Sequence, residues 1–368
     1  MRGNTGTLVR LRAGRVLRTI DSRPGLIELV VAVEGAEAKA IAYEAFTGRP
    51  APGDEVLLNT TAVAEGLGSG GYHFVVAGLL PRSLEAPEKG HIMKLRYTPA
   101  QIKVMAVEEP DSPFHSVLEN TADLGGVPVV ALELHSQLAP VAAALWRQGG
   151  GRLRLVYVMT DGAALPLAFS RTVHALKGKG LLSATVTAGH AFGGDFEAVN
   201  VYSGLLAARY AGEADVIVVG MGPGVVGTGT RFGTTAIEQG EVVNAAGVLN
   251  GKPVAALRLS FADRRERHRG VSHHTLTALG SVALVPCAVP VPVMETEKTA
   301  LVLQQLDAVG ITRRHRLETV DATGVFDTLD ELELKVSTMG RGRDEETEFF
   351  LAAGAAGVLA AKLALAEA

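Results

Sequence analysis

A glycine-dense segment is the stretch of this sequence best suited to holding a ligand. The segment GMGPGVVGTGTRFG (220–233) follows the apolar run 215–219 and contains the pattern G-x-G-x-x-G. Glycine has no Cβ and readily adopts positive φ, so several backbone N–H groups can converge on one phosphate or carboxylate. Neighbouring hydroxyl groups and one guanidinium add further donors. The predicted anion-binding residues are Gly222, Gly224, Gly227, Thr228, Thr230 and Arg231.

Two specific nucleotide motifs fit this segment poorly. Pro223 removes one backbone donor, and the next helix is expected to begin only near Thr234. Asp263 lies too far along the chain to contact a ribose as in a dinucleotide site. A P-loop needs G-K-[ST], which the segment lacks. The open alternatives are a site for another phosphate or carboxylate, and a glycine-rich turn that serves packing alone.

Asp161 and His190 follow two other apolar runs and are the candidate catalytic acid and base groups. Each has a structural alternative. Asp161 is also placed to cap the helix expected after it. His190 lies among glycines just before Asp195, which we expect to cap a helix that starts at Phe196. If the ligand is a substrate, we expect Asp161 and His190 to move its protons.

Histidines and aspartates of the second half of the chain offer a metal site as an alternative, since neutral imidazole and carboxylate ligate zinc, manganese or iron. The segment DRRERHRGVSHHT (263–275) supplies most of them, although its arginines also suit phosphate oxygens or a solvated loop. The two adjacent histidines should point apart in any helix or strand, and H-E-x-x-H is missing. We therefore assign no metal ligand. The alternative ligands are His135, Asp263, His268, His273 and His274.

Other kinds of chemistry find weaker support in the sequence. The nucleophile pattern G-x-S-x-G is missing, and Cys287 lies in an apolar stretch that is typical of a buried, inert thiol. Arg341 and Arg343 in STMGRGRDEETEFF (337–350) form a second candidate anion site. The alternative there is an ordinary helix start capped by Asp344 or a neighbour. These residues identify no cofactor.

Short β-strand patterns separated by turn residues occupy the first 84 residues. Their spacing predicts a small β-barrel or sandwich. The segment PRSLEAPEKG (81–90) is rich in proline and charge, which is typical of a linker. We therefore place a small β domain at 1–88 and a larger domain at 89–368.

From Val127 onward, apolar runs rich in valine, isoleucine and leucine alternate with amphipathic helical patterns. This alternation predicts an α/β domain with a mostly parallel, doubly wound sheet. Gly180 and Gly251 are placed to end two of the helices. The carboxyl ends of parallel strands share one rim, so the candidate residues should meet there. The predicted strands are 127–134, 153–159, 181–188, 215–220, 253–260 and 281–287.

Composition argues against several partners and settings. A net charge of −4 with mixed signs offers no basic face for nucleic acid. The single cysteine cannot form an intrachain disulfide, and the N-terminus lacks an apolar signal segment. The longest apolar stretches are interrupted by prolines or by Lys362. We expect a cytoplasmic protein that enters no membrane, and the alanine-rich C-terminal helix allows a homo-oligomer.

At GHIMKLRYTPAQ (90–101), GMGPGVVGTGTRFG (220–233) and RHRGVSHHT (267–275) the sequence resembles a bacterial family catalogued only as a domain of unknown function. The resemblance covers nearly the whole chain and implies a bacterial setting but no activity. From the residues we expect a protein, enzymatic or not, that binds a phosphorylated or otherwise anionic small molecule at the rim. The alternatives are a metal-dependent hydrolase that uses rim histidines and aspartates, and a non-enzymatic regulatory or scaffold protein.

Overall fold

The structure is a computed structural model that describes residues 8–80 and 83–366. These residues form two compact units. The first contains the described residues up to 88 together with 95–103, and the second contains 89–94 together with 104–366. Each unit has its own hydrophobic core.

Five strands of the first unit close into a barrel in the order β1–β2–β3–β5–β4, with β4 paired to β1. The pairs are antiparallel except for β3 and β5, which run parallel. The predicted β domain is therefore a barrel rather than a sandwich. A closed five-stranded barrel with this connectivity is the architecture of OB-folds. The elements are β1 (Leu11–Arg23), β2 (Leu26–Val33), β3 (Ala36–Tyr43), α1 (Glu44–Thr47), β4 (Glu55–Asn59), α2 (Thr61–Ala64) and β5 (Tyr72–Gly78).

Close approach across the barrel depends on one glycine in β1. A Cβ at Gly14 would lie 2.7 Å from Leu58 Cδ1 and 2.9 Å from the Ala32 carbonyl oxygen, so a side chain there would push neighbouring strands apart. Leu29 and Val31 fill the interior and are completely buried. The barrel core is thus aliphatic and tightly packed.

The second unit contains an eight-stranded sheet in the order β11–β10–β9–β12–β8–β13–β16–β17, and every described pair in it is parallel. The predicted parallel α/β architecture is confirmed. The strands and helices from residue 89 onward are β6 (Ile92–Lys94), β7 (Ile102–Val104), α3 (His115–Glu119), β8 (Pro128–Ala131), α4 (Leu138–Gly149), β9 (Leu155–Thr160), α5 (Arg171–Gly178), β10 (Ala184–Ala188), β11 (Phe196–Ala198), α6 (Val201–Tyr210), β12 (Val216–Met221), α7 (Glu238–Val248), β13 (Lys252–Ala255), β14 (Leu259–Ser260), β15 (Gly270–Val271), α8 (His273–Thr277), β16 (Ala288–Pro292), α9 (Thr296–Ala308), α10 (Ile311–Arg314), β17 (Arg316–Val320), α11 (Val325–Glu331), β18 (Ser337–Thr338), β19 (Arg341–Gly342) and α12 (Thr347–Leu365).

Helices cover both faces of the sheet because successive strand residues point to opposite sides. In β8, Val129 and Ala131 face a core shared with α6, α7 and α9. Val130 and Leu132 face a second core shared with α4, α5, α11 and α12. The near-continuous apolar runs of the sequence are explained by this burial on both faces.

Three local predictions were wrong. The strand expected at 281–287 lies instead at 288–292 and follows a π-helical turn at 278–282. Its two prolines alternate with the residues that are hydrogen-bonded to β17. Asp195 precedes β11 rather than a helix, and Asn200 caps α6. Gly180 has φ +71° after α5, as expected, but Asn250 rather than Gly251 takes the left-handed conformation after α7.

The C-terminal helix α12 is long and apolar enough to cross a membrane by length and composition. In the fold, 72% of its most apolar 18-residue stretch is buried. It packs on β8 and β16 and against α4, and its alanines lie in the second core. Its composition is explained by this role as a core helix of the α/β unit.

The chain order places two crevices at the rim of the sheet. From β8 the chain moves through β9 and β10 to the β11 edge, returns through β12, and then builds β13, β16 and β17 on the other side. After β9 the chain continues toward the β11 edge, whereas after its neighbour β12 it continues toward the β17 edge. The neighbours β8 and β13 are likewise followed by connections that run in opposite directions. Ligands of such sheets bind at these switch points.

Gly357 allows α12 to contact α4 closely, which provides a test of this packing. A Cβ at Gly357 would clash with the Val141 carbonyl oxygen and lie 3.1 Å from Ala144 Cβ. We expect Gly357→Ala to destabilise the protein by about 1–3 kcal/mol through overpacking, measured as a lower urea midpoint. Gly178→Ala, a glycine at the end of α5 with open space around it, is the matched control and should not destabilise. An unchanged midpoint for Gly357→Ala would show that the two helices do not pack as described.

Candidate functional site

A buried ion pair lies where β8 and β13 end. Glu133 follows β8 and Arg258 follows β13. Arg258 Nη1 donates to Glu133 Oε1 at 3.1 Å, and the side chain of Glu133 is 0% exposed and that of Arg258 is 5% exposed. The Thr275 hydroxyl donates to the other carboxylate oxygen, and the Ser272 hydroxyl lies 3.5 Å from Oε1. Burial raises the pKa of Glu133, and the guanidinium opposes that rise. The pair ties the ends of both strands to the start of α8.

Two buried glutamines fill the gap where these strands separate. Gln137 accepts from the backbone N–H of Glu133 and Leu134 and donates to the Leu257 carbonyl. Gln239, from α7, donates to the Ala131 and Ala256 carbonyls. The backbone groups that the sheet no longer pairs are thereby satisfied. This opening accounts for the early end of β13, which was predicted to continue to residue 260.

Three histidines cluster beside the ion pair: His268 in a short 3₁₀ turn, and His273 and His274 at the start of α8. Their ring centroids lie 4.1–5.1 Å apart, and their ligand-capable atoms all lie within 4.8 Å of one another. The expectation that adjacent His273 and His274 point apart was wrong. They begin a helix whose first turn follows the bend at Ser272, and the two rings meet there.

The environment keeps these imidazoles neutral. Burial lowers the pKa of His268 to about 3 and that of His274 to about 3, and it lowers the pKa of His273. Neighbouring arginines act in the same direction. His268 Nδ1 lies 3.0 Å from the Ser272 hydroxyl, and His274 Nδ1 lies 3.4 Å from Arg258 Nη1. Neutral rings with one nitrogen held in place can use the other nitrogen as a ligand.

The glycine segment lies directly against this cluster. A Cβ at Gly227 would be 2.9 Å from His274 Cε1 and 3.1 Å from its Nε2. Gly229, at φ +83°, has Arg267 Nη1 3.8 Å from its ideal Cβ position. The Thr228 and Thr230 hydroxyls lie 2.9 Å apart at the exposed tip. The glycine segment and the histidines of segment 263–275 are therefore neighbours in the fold. That the glycine segment binds a ligand stays a prediction.

Asp161 and His190 meet at the other crevice, beyond β9. Asp161 Oδ2 accepts from the His190 backbone N–H at 2.8 Å, so Asp161 holds the turn that follows β10 rather than capping a helix. Buried Lys94 fixes the same loop by donating to the Thr187 and Ala191 carbonyls and to Glu197. These contacts position the loop that carries His190 on the rim.

Glu238, the first residue of α7, adds a carboxyl group to this crevice. Burial raises its pKa to about 7, and the Asp161 carboxylate acts in the same direction. Its Oε2 atom is buried without a hydrogen-bond partner among the described residues and lies 2.5 Å from the ideal Cβ position of Gly162. A carboxyl group that titrates near neutral pH can act as a general acid or base.

Several predicted residues lie outside both groups. His135 is buried beneath the rim, where Nε2 contacts Ser170 Oγ at 2.6 Å and Nδ1 lies 3.2 Å from the Met221 carbonyl oxygen. Arg231 donates to Ser281 Oγ. Asp263 accepts two hydrogen bonds from the Arg265 guanidinium, which hold its pKa well below the usual range.

The second candidate anion site already has carboxylate partners. Arg341 pairs with Glu346 and Asp263, and Arg343 pairs with Asp330. The helix start there is Thr347, so Asp344 is not its cap. These arginines stabilise the approach to α12.

Sequence reasoning missed Arg258 and Glu238. Arg258 is the only charged residue within the apolar run 253–260, and that isolation is a signal that could have identified it. Glu238 carries no comparable signal, because its environment is produced by Gly162 and Asp161 from a different part of the chain.

The raised pKa of Glu238 predicts a pH-dependent stability difference. Unfolding releases this carboxyl to an ordinary pKa near 4.5. Its contribution is therefore fully present below pH 4.5 and is lost as pH rises through about 7. Relative to wild type, Glu238→Gln should be more stable at pH 8 than at pH 4.5 by on the order of 2 kcal/mol, measured by urea unfolding. Glu297→Gln, an exposed residue of α9, is the control. Parallel pH profiles for wild type and Glu238→Gln would contradict the burial of this group.

Comparison with protein families places the chain in one of them. No curated protein matches the chain. A family described as protein of unknown function (DUF3866) matches residues 39–357, which begin within β3 of the barrel and span nearly all of the α/β unit. This agrees with the resemblance seen at the glycine segment and at the histidine segment. The chain belongs to this family of proteins of unknown function.

Proposed function

We propose that the α/β unit binds an anionic small molecule, bearing a phosphate or carboxylate, at the rim beside β8, β12 and β13. The observation that carries this proposal is the position of Arg267 against the glycine segment and the histidine cluster. One exposed cation, an exposed glycine-rich backbone and neutral imidazoles face the same space.

Charge accounting supports an anionic ligand. The carboxylate of Glu133 pairs with Arg258, and that of Asp263 pairs with Arg265 and Arg341. Among the described residues, Arg267 has no carboxylate partner, and its side chain is exposed. The charge of Arg267, which lies against the glycine segment, is therefore available for a ligand. A guanidinium suits phosphate and carboxylate because it can donate two parallel hydrogen bonds.

The glycine segment supplies further donors. Its internal bonds include the Thr228 N–H to the Gly233 carbonyl and the Thr235 N–H to the Val226 carbonyl. Within the described residues the Gly227 and Gly229 N–H groups donate to no protein acceptor. Free N–H groups beside a guanidinium are the pattern of an anion-binding loop.

Whether the bound molecule is transformed depends on the second crevice. Asp161 bonds the His190 N–H, and Glu238 lies with Met221, the last residue of β12, against Gly162, which follows Asp161. An acid or base role for Asp161 and His190 stays a prediction, and Glu238, whose pKa burial raises to about 7, joins them as a candidate. The cytoplasmic setting and a homo-oligomer also stay predictions.

Removing Arg267 should weaken anion binding. A panel of pyrophosphate, nucleotides and phosphorylated sugars is screened by thermal shift, and the dissociation constant of the best probe is measured by calorimetry. We expect Arg267→Ala to weaken that probe by about 10–100-fold, the value of one charge-assisted hydrogen bond, and high salt to weaken it further.

Arg269→Ala is the matched control, because Arg269 is exposed and only two residues away. It should leave affinity within about twofold, since a nearby surface charge acts weakly through solvent. A panel that produces no thermal shift would overturn the proposal. Equal losses in the two variants would show a general charge effect rather than this site.

A further inference from the structure

We propose that His268, His273 and His274 together bind one divalent transition-metal ion of the zinc class. This inference rests on the proposed function for the role of the metal toward the anionic ligand, but metal binding itself can be measured alone. Three imidazoles with a remaining open position form the donor set of catalytic zinc sites.

The geometry brings three imidazoles to one point. Their ligand-capable atoms lie within 4.8 Å of one another, and His268 and His274 are buried. Zinc–nitrogen bonds are about 2.0–2.1 Å long, so binding requires the rings to close by about an ångström, which side-chain rotation provides. The three residues lie within seven positions of the chain, on a turn and a helix start joined by Ser272.

Outer contacts orient the rings. The Ser272 hydroxyl contacts His268 Nδ1 and lies near Glu133, while Arg258 and Glu133 flank His274 Nδ1 at 3.4 and 3.7 Å. In metal sites an acceptor such as a carboxylate or hydroxyl holds one ring N–H so that the other nitrogen faces the ion. Ser272 can do this for His268 and Glu133 for His274, whereas Arg258 can only donate. The free Nε2 of His274 lies on the side of Gly227.

His273 gives an independent sign of a missing partner. Its Nε2 is buried and bonds to no described residue. His73 in the barrel also has a buried Nδ1 without a partner in the described part of the chain, but it stands alone there, and the two other buried histidines of the α/β unit are fully partnered. His135 has contacts at both ring nitrogens, and His315 contacts the Cys287 N–H through Nδ1 and the Leu279 carbonyl through Nε2. An unsatisfied buried nitrogen costs about 1–3 kcal/mol, and coordination would remove that cost.

Nearby arginines do not prevent cation binding, because two of them are neutralised by carboxylates. Arg258 pairs with Glu133, and Arg265 pairs with Asp263. Arg267 remains at the exposed side, next to the glycine segment. It would attract the anionic ligand toward the open coordination position, where an oxygen of the ligand or a water molecule would bind the metal.

Metal titration of the full-length protein tests this inference. Protein dialysed against a chelator is titrated with Zn²⁺ by calorimetry and with Co²⁺ by visible absorption, without any anionic ligand. We expect one ion per chain and Co²⁺ bands of a nitrogen-rich, four- or five-coordinate site. His273→Ala should weaken binding by about 100-fold or more, while His174→Ala, an exposed histidine on α5, should not change it. Circular dichroism confirms that both variants fold.

X-ray absorption of the zinc-loaded wild type provides a readout that needs no variant. Three imidazole nitrogens at about 2.0–2.1 Å would support the site. Fewer than three imidazoles, substoichiometric binding, or equal binding by His273→Ala would overturn it. If the wild-type protein binds pyrophosphate but no metal ion, the metal site is rejected and the proposed function stands. Intact metal binding with no anion binding would instead reject the proposed function.

Discussion

The contact between Glu133 and Arg258 is the interaction on which the candidate site depends. Burying two charges is expensive, and their attraction offsets that cost only when the remaining hydrogen-bonding capacity is also satisfied. Thr275, Ser272 and the pair itself provide that satisfaction at the end of a diverging strand pair. Because the carboxylate bonds residues on both sides of the β15–α8 turn, it fixes the turn that carries His273 and His274. Without it, the histidines would have no common orientation.

The glycines after β12 serve two purposes that separate by position. Gly227 and Gly233 are packing glycines, since a Cβ on either would collide with His274 or with the threonine hydroxyls. Gly224 and Gly229 have φ of +110° and +83° and, apart from the Arg267 side chain near Gly229, open space around them. Packing explains the first pair but not the second. The second pair shapes an exposed loop, which is what a ligand-facing backbone requires.

Much of the architecture could be predicted from the sequence because it depends on burial. Apolar runs such as 215–220 and 127–134 are buried on both faces, which only a covered parallel sheet explains. The prediction of a strand at 281–287 failed because apolarity alone cannot distinguish a strand from a buried turn, and the adjacent run 288–292 was equally apolar.

The site was harder to predict for a different reason. The grouping of Asp161 with Glu238, and of Glu133 with Arg258, depends on which strands are neighbours, and strand order is not written in local composition. The pairing of Gly227 with His274 likewise joins segments 47 residues apart.

The grouping of three rings sets the cluster apart from the other buried histidines. A neutral imidazole has one donor and one acceptor, so a histidine that serves packing alone should find a partner for each. His135 and His315 do, through hydroxyl and backbone groups, whereas His73, a single histidine in the barrel, leaves Nδ1 without a partner among the described residues. In the cluster the partners found by His268 and His274 are on Nδ1, and His273 Nε2 has none among the described residues. Three neighbouring rings with nitrogens left over are poor packing elements, because each leftover nitrogen has given up water without replacement. Their grouping under an exposed glycine loop is better explained by something that binds there.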